Sequence, residues 1–343
     1  MIEETSILII YTGGTIGMIA DETTGALIPF NFENINEQIP ELSKFNFDLG
    51  FHCFDPILDS SNMNPNVWIE LAQIIKNNYE DHDGFVVLHG SDTMAYTASA
   101  LSFLLENLNK PVVFTGSQLP LGVLRTDGRE NMITAIEIAA AKEDNTPIVP
   151  EVSIYFENRL MRANRTTKYN AENFNAFVSG NLPLLADAGV YIKYNKNVIL
   201  KPNFKKLKAH KVMDTNVAVL RLFPGINANF VEAFFNISGL KAVVLESFGS
   251  GNAPSELWFL DLLKSAINKG IIILNVTQCM TGSVEHGKYE TSIKLDETGV
   301  ISGRDITTEA AITKLMYLIG EGYEHDVIIR LLNTSLRGEL TNN

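Results

Sequence analysis

Seven short runs that are apolar on both faces constrain this chain more than any other feature: Ile7–Tyr11, Phe85–Leu88, Val112–Thr115, Val152–Phe156, Val217–Leu222, Ala242–Leu245 and Ile271–Val276. A strand with one wet face alternates apolar and polar residues, so runs without alternation predict strands covered on both sides, as in parallel sheets flanked by helices. The stretches between them carry helical spacing. Val67, Trp68, Leu71, Ile74 and Ile75 share one helical face, as do Ala98, Leu101, Leu104 and Leu105. Asn64 is placed to N-cap a helix that opens on Pro65, and Asp92 stands likewise ahead of Thr93. Strands and helices in alternation predict an α/β fold.

The chain has 343 residues, more than the roughly 250–300 that one hydrophobic core serves. Two α/β domains are expected. After the fourth run the regularity lapses into polar, Asn-rich sequence, and the basic stretch Lys201–Lys211 precedes the fifth run. The expected division is a larger N-terminal domain over residues 1–190, with a mostly parallel sheet and flanking helices, a linker over 191–212, and a smaller Rossmann-like domain over 213–343. A formal net charge of -13 repels phosphates and anionic headgroups, so the basic stretch reads as a solvated linker and neither nucleic acid nor membrane is expected as a partner. No apolar stretch approaches the ~20 residues that cross a bilayer. The opening MIEETSILIIY lacks the basic and apolar regions of a signal peptide and reads as a first strand. Cys53 and Cys279, the two cysteines, form neither a disulfide framework nor a close ligand pair. A cytoplasmic protein without metal or organic cofactor is the expectation.

In open parallel sheets, ligands bind beyond the carboxyl ends of strands, where loops and helix N-termini converge. The first run ends in Tyr11-Thr12-Gly13-Gly14-Thr15-Ile16-Gly17, whose glycines permit a tight turn that presents a hydroxyl. This segment lacks the Lys-Ser/Thr ending of a phosphate loop and the spacing of a dinucleotide fingerprint. It is either a structural turn or a nucleophile loop. The second run leads into His89-Gly90-Ser91-Asp92-Thr93, ahead of the helix through Met94–Leu105. There Ser91 or Asp92 is a simple cap, or the backbone N–H groups and helix dipole stabilise negative charge developing on an alkoxide or tetrahedral intermediate. His89 reads as structural. The fourth run is followed by a polar loop, Asn158–Lys168, and a lysine from it held near Ser91 and Asp92 can accept a hydroxyl proton once desolvated. Together these loops supply a nucleophile, a second activated hydroxyl, a carboxylate and a base, the parts that acyl transfer requires.

Six segments, TGGTIG, HGSDTMAYTASALSF, TGSQLP, NRTTK, GSGNAP and NVTQCMTG, occur in this order over nearly the whole chain. Together they resemble the asparaginase family, in its type I, cytoplasmic branch. The resemblance implies hydrolysis of the side-chain amide of L-asparagine to L-aspartate and ammonia, through a threonine nucleophile and an acyl-enzyme, in a homodimer or homotetramer. It matches Thr15 to the nucleophile and Ser91, Asp92 and Lys168 to the set that activates Ser91 or a water. Asp59, Ser60 and Ser61 match the loop that holds the substrate α-carboxylate, while Asp92 also receives the α-ammonium. Glutamine is one methylene longer, a difference worth roughly 1–3 kcal/mol, so weak glutaminase activity is expected as well. An amidotransferase component acting on tRNA would need a basic surface, and a non-catalytic amino-acid sensor would have lost Thr15 or Lys168; neither feature is evident.

The chain departs from the family pattern at three places. Ser91 stands where Thr is usual, which keeps the hydroxyl and removes a methyl that restricts its rotamer. The lid segment Thr24–Pro29 contains no tyrosine. Thr167, Asn252 and Cys279 match parts of a second, regulatory pocket found in some type I members, but Glu246 occupies the place of its arginine. A carboxylate there repels an α-carboxylate, so little or no activation by asparagine is expected.

Overall fold

The computed structural model describes residues 5–20, 27–29, 39–285 and 290–341, and the chain divides into two compact units, Met1–Lys211 and Val212–Asn343. Apart from three short two-stranded pairings, the strands of the first unit are β1 Thr5–Tyr11, β2 Phe47–Cys53, β3 Gly84–Leu88, β4 Val112–Thr115, β5 Val152–Phe156, β6 Arg159–Arg162, β7 Thr167–Lys168, β8 Phe177–Val178, β9 Ala186–Ala188 and β10 Ile192–Tyr194. Eight of them form one sheet in the order β10-β9-β6-β5-β4-β3-β1-β2, and β7 pairs with β8 apart from it. The five strands from β5 to β2 run parallel. The remaining pairings, β5 through β10, are antiparallel.

The parallel half is built as its apolar runs demand. Every residue of β3, β4 and β5 is buried, and Ile7, Ile9, Val86, Leu88 and Val113 share a core with Met132, Ala135, Ile136 and Ala139 from the helix α3, Gly128–Ala140. Gly84 lets that helix close on the sheet, because a Cβ there would stand 2.4 Å from the Ala139 carbonyl oxygen. Helix α1, Pro65–Asn77, is capped by Asn64, whose side chain accepts from Asn66 N at 3.0 Å. Helix α2, Met94–Leu104, is buried at every residue except Tyr96. Its polar residues are satisfied inside: Thr97 Oγ1 accepts from Trp68 Nε1 at 3.0 Å, and Ser102 donates to the Ala98 carbonyl at 3.0 Å.

Four expectations change. Asp92 is not the cap of α2; the N-cap is Thr93, and it makes no side-chain cap hydrogen bond. Leu105 leaves the helix, and Leu105–Glu106 pairs with Lys208–Ala209. The Asn158–Lys168 stretch is not a loop: Glu157 and Asn158, at φ 45° and 64°, turn the chain back, and Arg159–Arg162 becomes β6. Positive φ at both positions is what a two-residue hairpin requires. β2 arises where no continuous apolar run marks it, since Asp48, Gly50 and His52 interleave its hydrophobic residues at the sheet edge.

The second unit holds a fully parallel sheet of β11 Val217–Arg221, β12 Ala242–Ser247, β13 Ile272–Thr277 and β14 Ile301–Ser302, in that order. The helices are α4 Ala228–Phe235, α5 Leu257–Asn268, α6 Glu290–Asp296, α7 Thr308–Gly320 and α8 His325–Leu332. Val231, Phe235, Phe259 and Leu263 pack on Val243, Leu245 and Ile273. β11 is an edge strand and departs from the expectation of cover on both faces, with Val219 exposed. Among the described residues no helix is long and apolar enough to cross a membrane.

One buried charge pair ties the carboxyl-terminal tail to this unit. Lys314 Nζ lies 2.6 Å from Glu339 Oε1, both side chains being 0% exposed, and also donates to the Thr334 carbonyl at 2.7 Å. Glu339 in turn accepts from the backbone N–H groups of Leu336 and Arg337. Breaking such a pair leaves one charge buried without its partner. Lys314→Met is therefore expected to destabilise the protein by about 3–5 kcal/mol, read as a lower midpoint in urea unfolding followed by circular dichroism.

Candidate active site

Strands β2, β1, β3 and β4 end level with one another, Tyr11 pairing with both Cys53 and Leu88, and Leu88 with Thr115. Their loops consequently leave the sheet side by side. Thr12 N and Oγ1 both donate to the Leu88 carbonyl, at 3.0 and 3.1 Å, and the Thr12 carbonyl accepts from Leu58 N at 2.8 Å. The packing is backbone against backbone at Gly13 and Gly14, and backbone against the Ser60 side chain at Gly90. A Cβ on Gly13 would stand 1.9 Å from the Leu58 oxygen, one on Gly14 2.5 Å from Gly90, and one on Gly90 2.7 Å from Ser60. Gly13 and Gly14 also sit at φ +134° and +94°, where side chains are strained. Beneath them Tyr11 donates its hydroxyl to the Gly14 carbonyl at 3.2 Å.

A cavity of about 510 Å³ opens over these loops, with Thr15, Asp59, Ser60, Ser91, Asp92 and Lys168 in its walls. All belong to the first unit. Lys168 arrives on β7, held by its pairing with Phe177. Its Nζ donates to Ser91 Oγ at 3.0 Å and to Asp92 Oδ1 at 2.7 Å. The lysine side chain is 15% exposed and the aspartate side chain 68%, so the pair adds little to stability. Thr15 opens a single 3₁₀ turn, Thr15–Gly17, and its hydroxyl makes no hydrogen bond to another described residue. Among the described residues no cluster of His, Cys, Asp and Glu is placed to hold a metal.

Ser61 does not line the cavity. Its hydroxyl and backbone N–H donate to Asp59 Oδ1 at 2.7 and 2.8 Å, and these two bonds hold the Asp59 carboxyl below its ordinary range. Ser61 thus acts on Asp59. The cavity wall also contains Gln118, whose amide donates to the Asn173 carbonyl at 2.9 Å. Sequence reasoning did not single out Gln118, although the TGSQLP segment that contains it is one of the family signatures.

The residues of the expected second pocket fall in both units. Thr167 lies on β7, paired with Val178. In the second unit Glu246 is buried near the carboxyl end of β12, accepting from Arg221 at 3.0 Å and from the Thr308 hydroxyl at 2.7 Å. Asn252 pairs with Phe248 through backbone bonds, and exposed Cys279 donates its N–H to Thr277 Oγ1 at 3.0 Å. Of the lid, Leu27–Pro29 pairs with Met18–Ala20; Thr24, Gly25 and Ala26 lie outside the described residues.

Two family models match most of the chain: the asparaginase N-terminal domain over residues 6–200 and the glutaminase/asparaginase C-terminal domain over residues 216–332. The chain belongs to the asparaginase family. It is similar to L-asparaginase 1 of Escherichia coli K12, with 44% identity over 340 residues and 99% of each chain covered. It is also 41% identical over 364 residues to the 60 kDa lysophospholipase of Mus musculus, covering 98% of this chain and 63% of that one. The crystal structure of L-asparaginase I from Vibrio cholerae superposes with a TM-score of 0.88 at 40% identity, covering 99% of this chain and 100% of that one.

In this asparaginase-family chain the histidine of the second loop is structural. His89 is wholly buried, with Nδ1 2.6 Å from the Gly90 carbonyl, which fixes Nδ1 as the protonated nitrogen of the neutral ring. Burial pulls its pKa down to about 4 against the partial opposition of the Gly90 bond. The unfolded chain titrates near 6.5, so between these values it binds a proton that the native chain does not. Stability must therefore fall as pH drops from about 6.5 toward 4, by about 3 kcal/mol from this group. Thermal midpoints measured across that range should fall more steeply for the wild type than for His89→Gln; equal slopes would assign the loss to other groups.

Proposed function

We propose that the chain hydrolyses the side-chain amide of L-asparagine to L-aspartate and ammonia, with Thr15 as nucleophile. The observation that carries this reading is the bridging of Ser91 and Asp92 by Lys168 in the same cavity that Thr15 enters. Membership of the family and the likeness to L-asparaginase 1 support the substrate. The Asp59–Ser61 loop is read as holding the α-carboxylate, through the Ser60 hydroxyl and neighbouring backbone N–H groups, and Asp92 as receiving the α-ammonium. Such paired recognition of both charges suits a small zwitterion. It gives a long acyl chain little to bind, and lysophospholipid is not the expected substrate.

In the reaction Thr15 Oγ1 bonds to the amide carbon and the carbonyl becomes an oxyanion held by backbone N–H groups of the loops. The Thr15 proton passes by way of Ser91 and Lys168 to the departing nitrogen, and ammonia leaves as the C–N bond breaks. Water then attacks the ester, giving its proton back along the same route, and aspartate is released. A second reading has water activated at Ser91 attack the amide directly. It is favoured by the absence of any base on Thr15 among the described residues. Rapid quenching followed by peptide mass spectrometry separates the two, since only the first leaves an aspartyl ester on Thr15. Glutamine is expected as a weak second substrate. The same reading includes a cytoplasmic homodimer or homotetramer, which its two unpaired cysteines suit.

Ammonia release from asparagine is the decisive assay. Ser91→Thr should keep most activity, whereas Ser91→Ala should lose about 10²–10⁴-fold, and Thr15→Ala at least as much; an active Ser91→Ala enzyme would refute the role of the serine. Glu246 already spends its carboxylate on Arg221 and Thr308 and repels another carboxylate. The rate is accordingly expected to rise hyperbolically with asparagine, and a sigmoidal curve that Glu246→Ala abolishes would contradict this.

A further inference from the structure

Thr93 occupies the N-cap position of α2 without capping it. A threonine there ordinarily accepts from a backbone N–H of the first turn, a bond worth about 1 kcal/mol. Instead Thr93 Oγ1 donates to the Ser60 carbonyl at 2.6 Å, across 33 residues of sequence. The helix gives up its local cap for a distant contact. That contact joins two of the loops that face the cavity, since Asp59 and Ser60 line it on one and Ser91 and Asp92 on the other. Gly90 and Ser60 already touch, a Cβ on the glycine having only 2.7 Å to the Ser60 side chain. Among the described residues the Thr93 hydroxyl supplies the side-chain hydrogen bond between these loops.

We propose that Thr93 is a positioning residue that holds the loop gripping the ends of the amino acid at a set distance from the Ser91–Asp92–Lys168 group. It touches neither substrate nor reacting atoms and acts through Ser60. Removing its hydroxyl strands no buried acceptor, because the Ser60 carbonyl also accepts from Met63 N at 3.3 Å. The consequence is confined to the relative placement of the loops, and so to binding. This inference rests on the reading of the cavity as an amide-hydrolysing site.

Thr93→Val keeps the shape and removes the hydroxyl, while Thr93→Ser keeps the hydroxyl. With asparagine as substrate, Thr93→Val should raise KM about tenfold, the factor carried by one hydrogen bond, and change kcat less than about twofold. Its Tm should stay within about 2 °C of the wild type, and Thr93→Ser should restore KM. An unchanged KM in Thr93→Val overturns the proposal while leaving the function intact. A raised KM accompanied by a Tm loss of more than about 5 °C also overturns it, by assigning Thr93 to helix stability. Wild-type protein that releases no ammonia defeats the functional reading and this proposal with it.

Discussion

The approach of three loop backbones to within van der Waals contact is the constraint on which the site depends. Gly13 against the Leu58 backbone, Gly14 against the Gly90 backbone and Gly90 against the Ser60 side chain leave no room for a Cβ at any of the three glycines. Side chains on neighbouring residues are brought together as a result, so that Thr15, Asp59 and Ser91 share one cavity although they lie on separate loops. The contact is possible because the parallel strands end in register, which sends the loops out from a common row. A parallel sheet thus places the loops, and glycine permits them to close.

Lys168 reaches this cluster by a different route. β5 turns back through the two-residue hairpin into β6, and the chain then passes through a short 3₁₀ turn to β7. The route is anchored by charge in the interior. Arg162 and Glu151 are both buried, with Nε and Oε2 2.5 Å apart, and Glu151 also accepts from Leu200 N at 2.8 Å. Buried pairs of this kind add little net stability against an apolar alternative, but breaking one leaves a charge buried without its partner.

The parallel core was legible because full burial leaves a direct trace in sequence, an unbroken apolar run. Val112–Thr115 and Val152–Phe156 form strands with the bounds expected of them. Where burial is achieved by polar or charged residues the trace vanishes. Arg162 is buried through its pairing with Glu151, a partner distant enough that β6 looked like a solvated loop. β2 escaped notice for the opposite reason: at the sheet edge its residues are only partly covered, so no apolar run was required of it. At the site, the loops ahead of Thr15 and Ser91 could be found from glycines and hydroxyls following strands. That a lysine from the polar segment after the fourth run could stand near Ser91 and Asp92 was inferred from the loops, but no local signal required the meeting, and the resemblance to the family singled out Lys168. Asp92 shows the limit of local reasoning, because it reads as a helix cap in sequence whereas the N-cap is Thr93 and the Asp92 carboxylate accepts from Lys168.

The charges at the site bear on turnover as well as on binding. Among the described residues, Asp59, Asp92 and Lys168 are the charged side chains in the cavity wall, so these carry one more negative than positive charge, within a chain of net charge -13. Asparagine is a zwitterion of zero net charge and meets this field with little penalty when its ammonium faces the carboxylates. The proposed hydrolysis converts its neutral amide into a carboxylate. The product therefore carries a net negative charge in a wall that is already negative, and its repulsion at a few ångströms is worth of order 1 kcal/mol or more even under strong screening. The same carboxylates that favour entry of the zwitterion favour departure of the product. A site with a second cation beside Lys168 would bind aspartate more tightly and release it more slowly, so the modest surplus of negative charge suits an enzyme that must discharge an anion at every cycle.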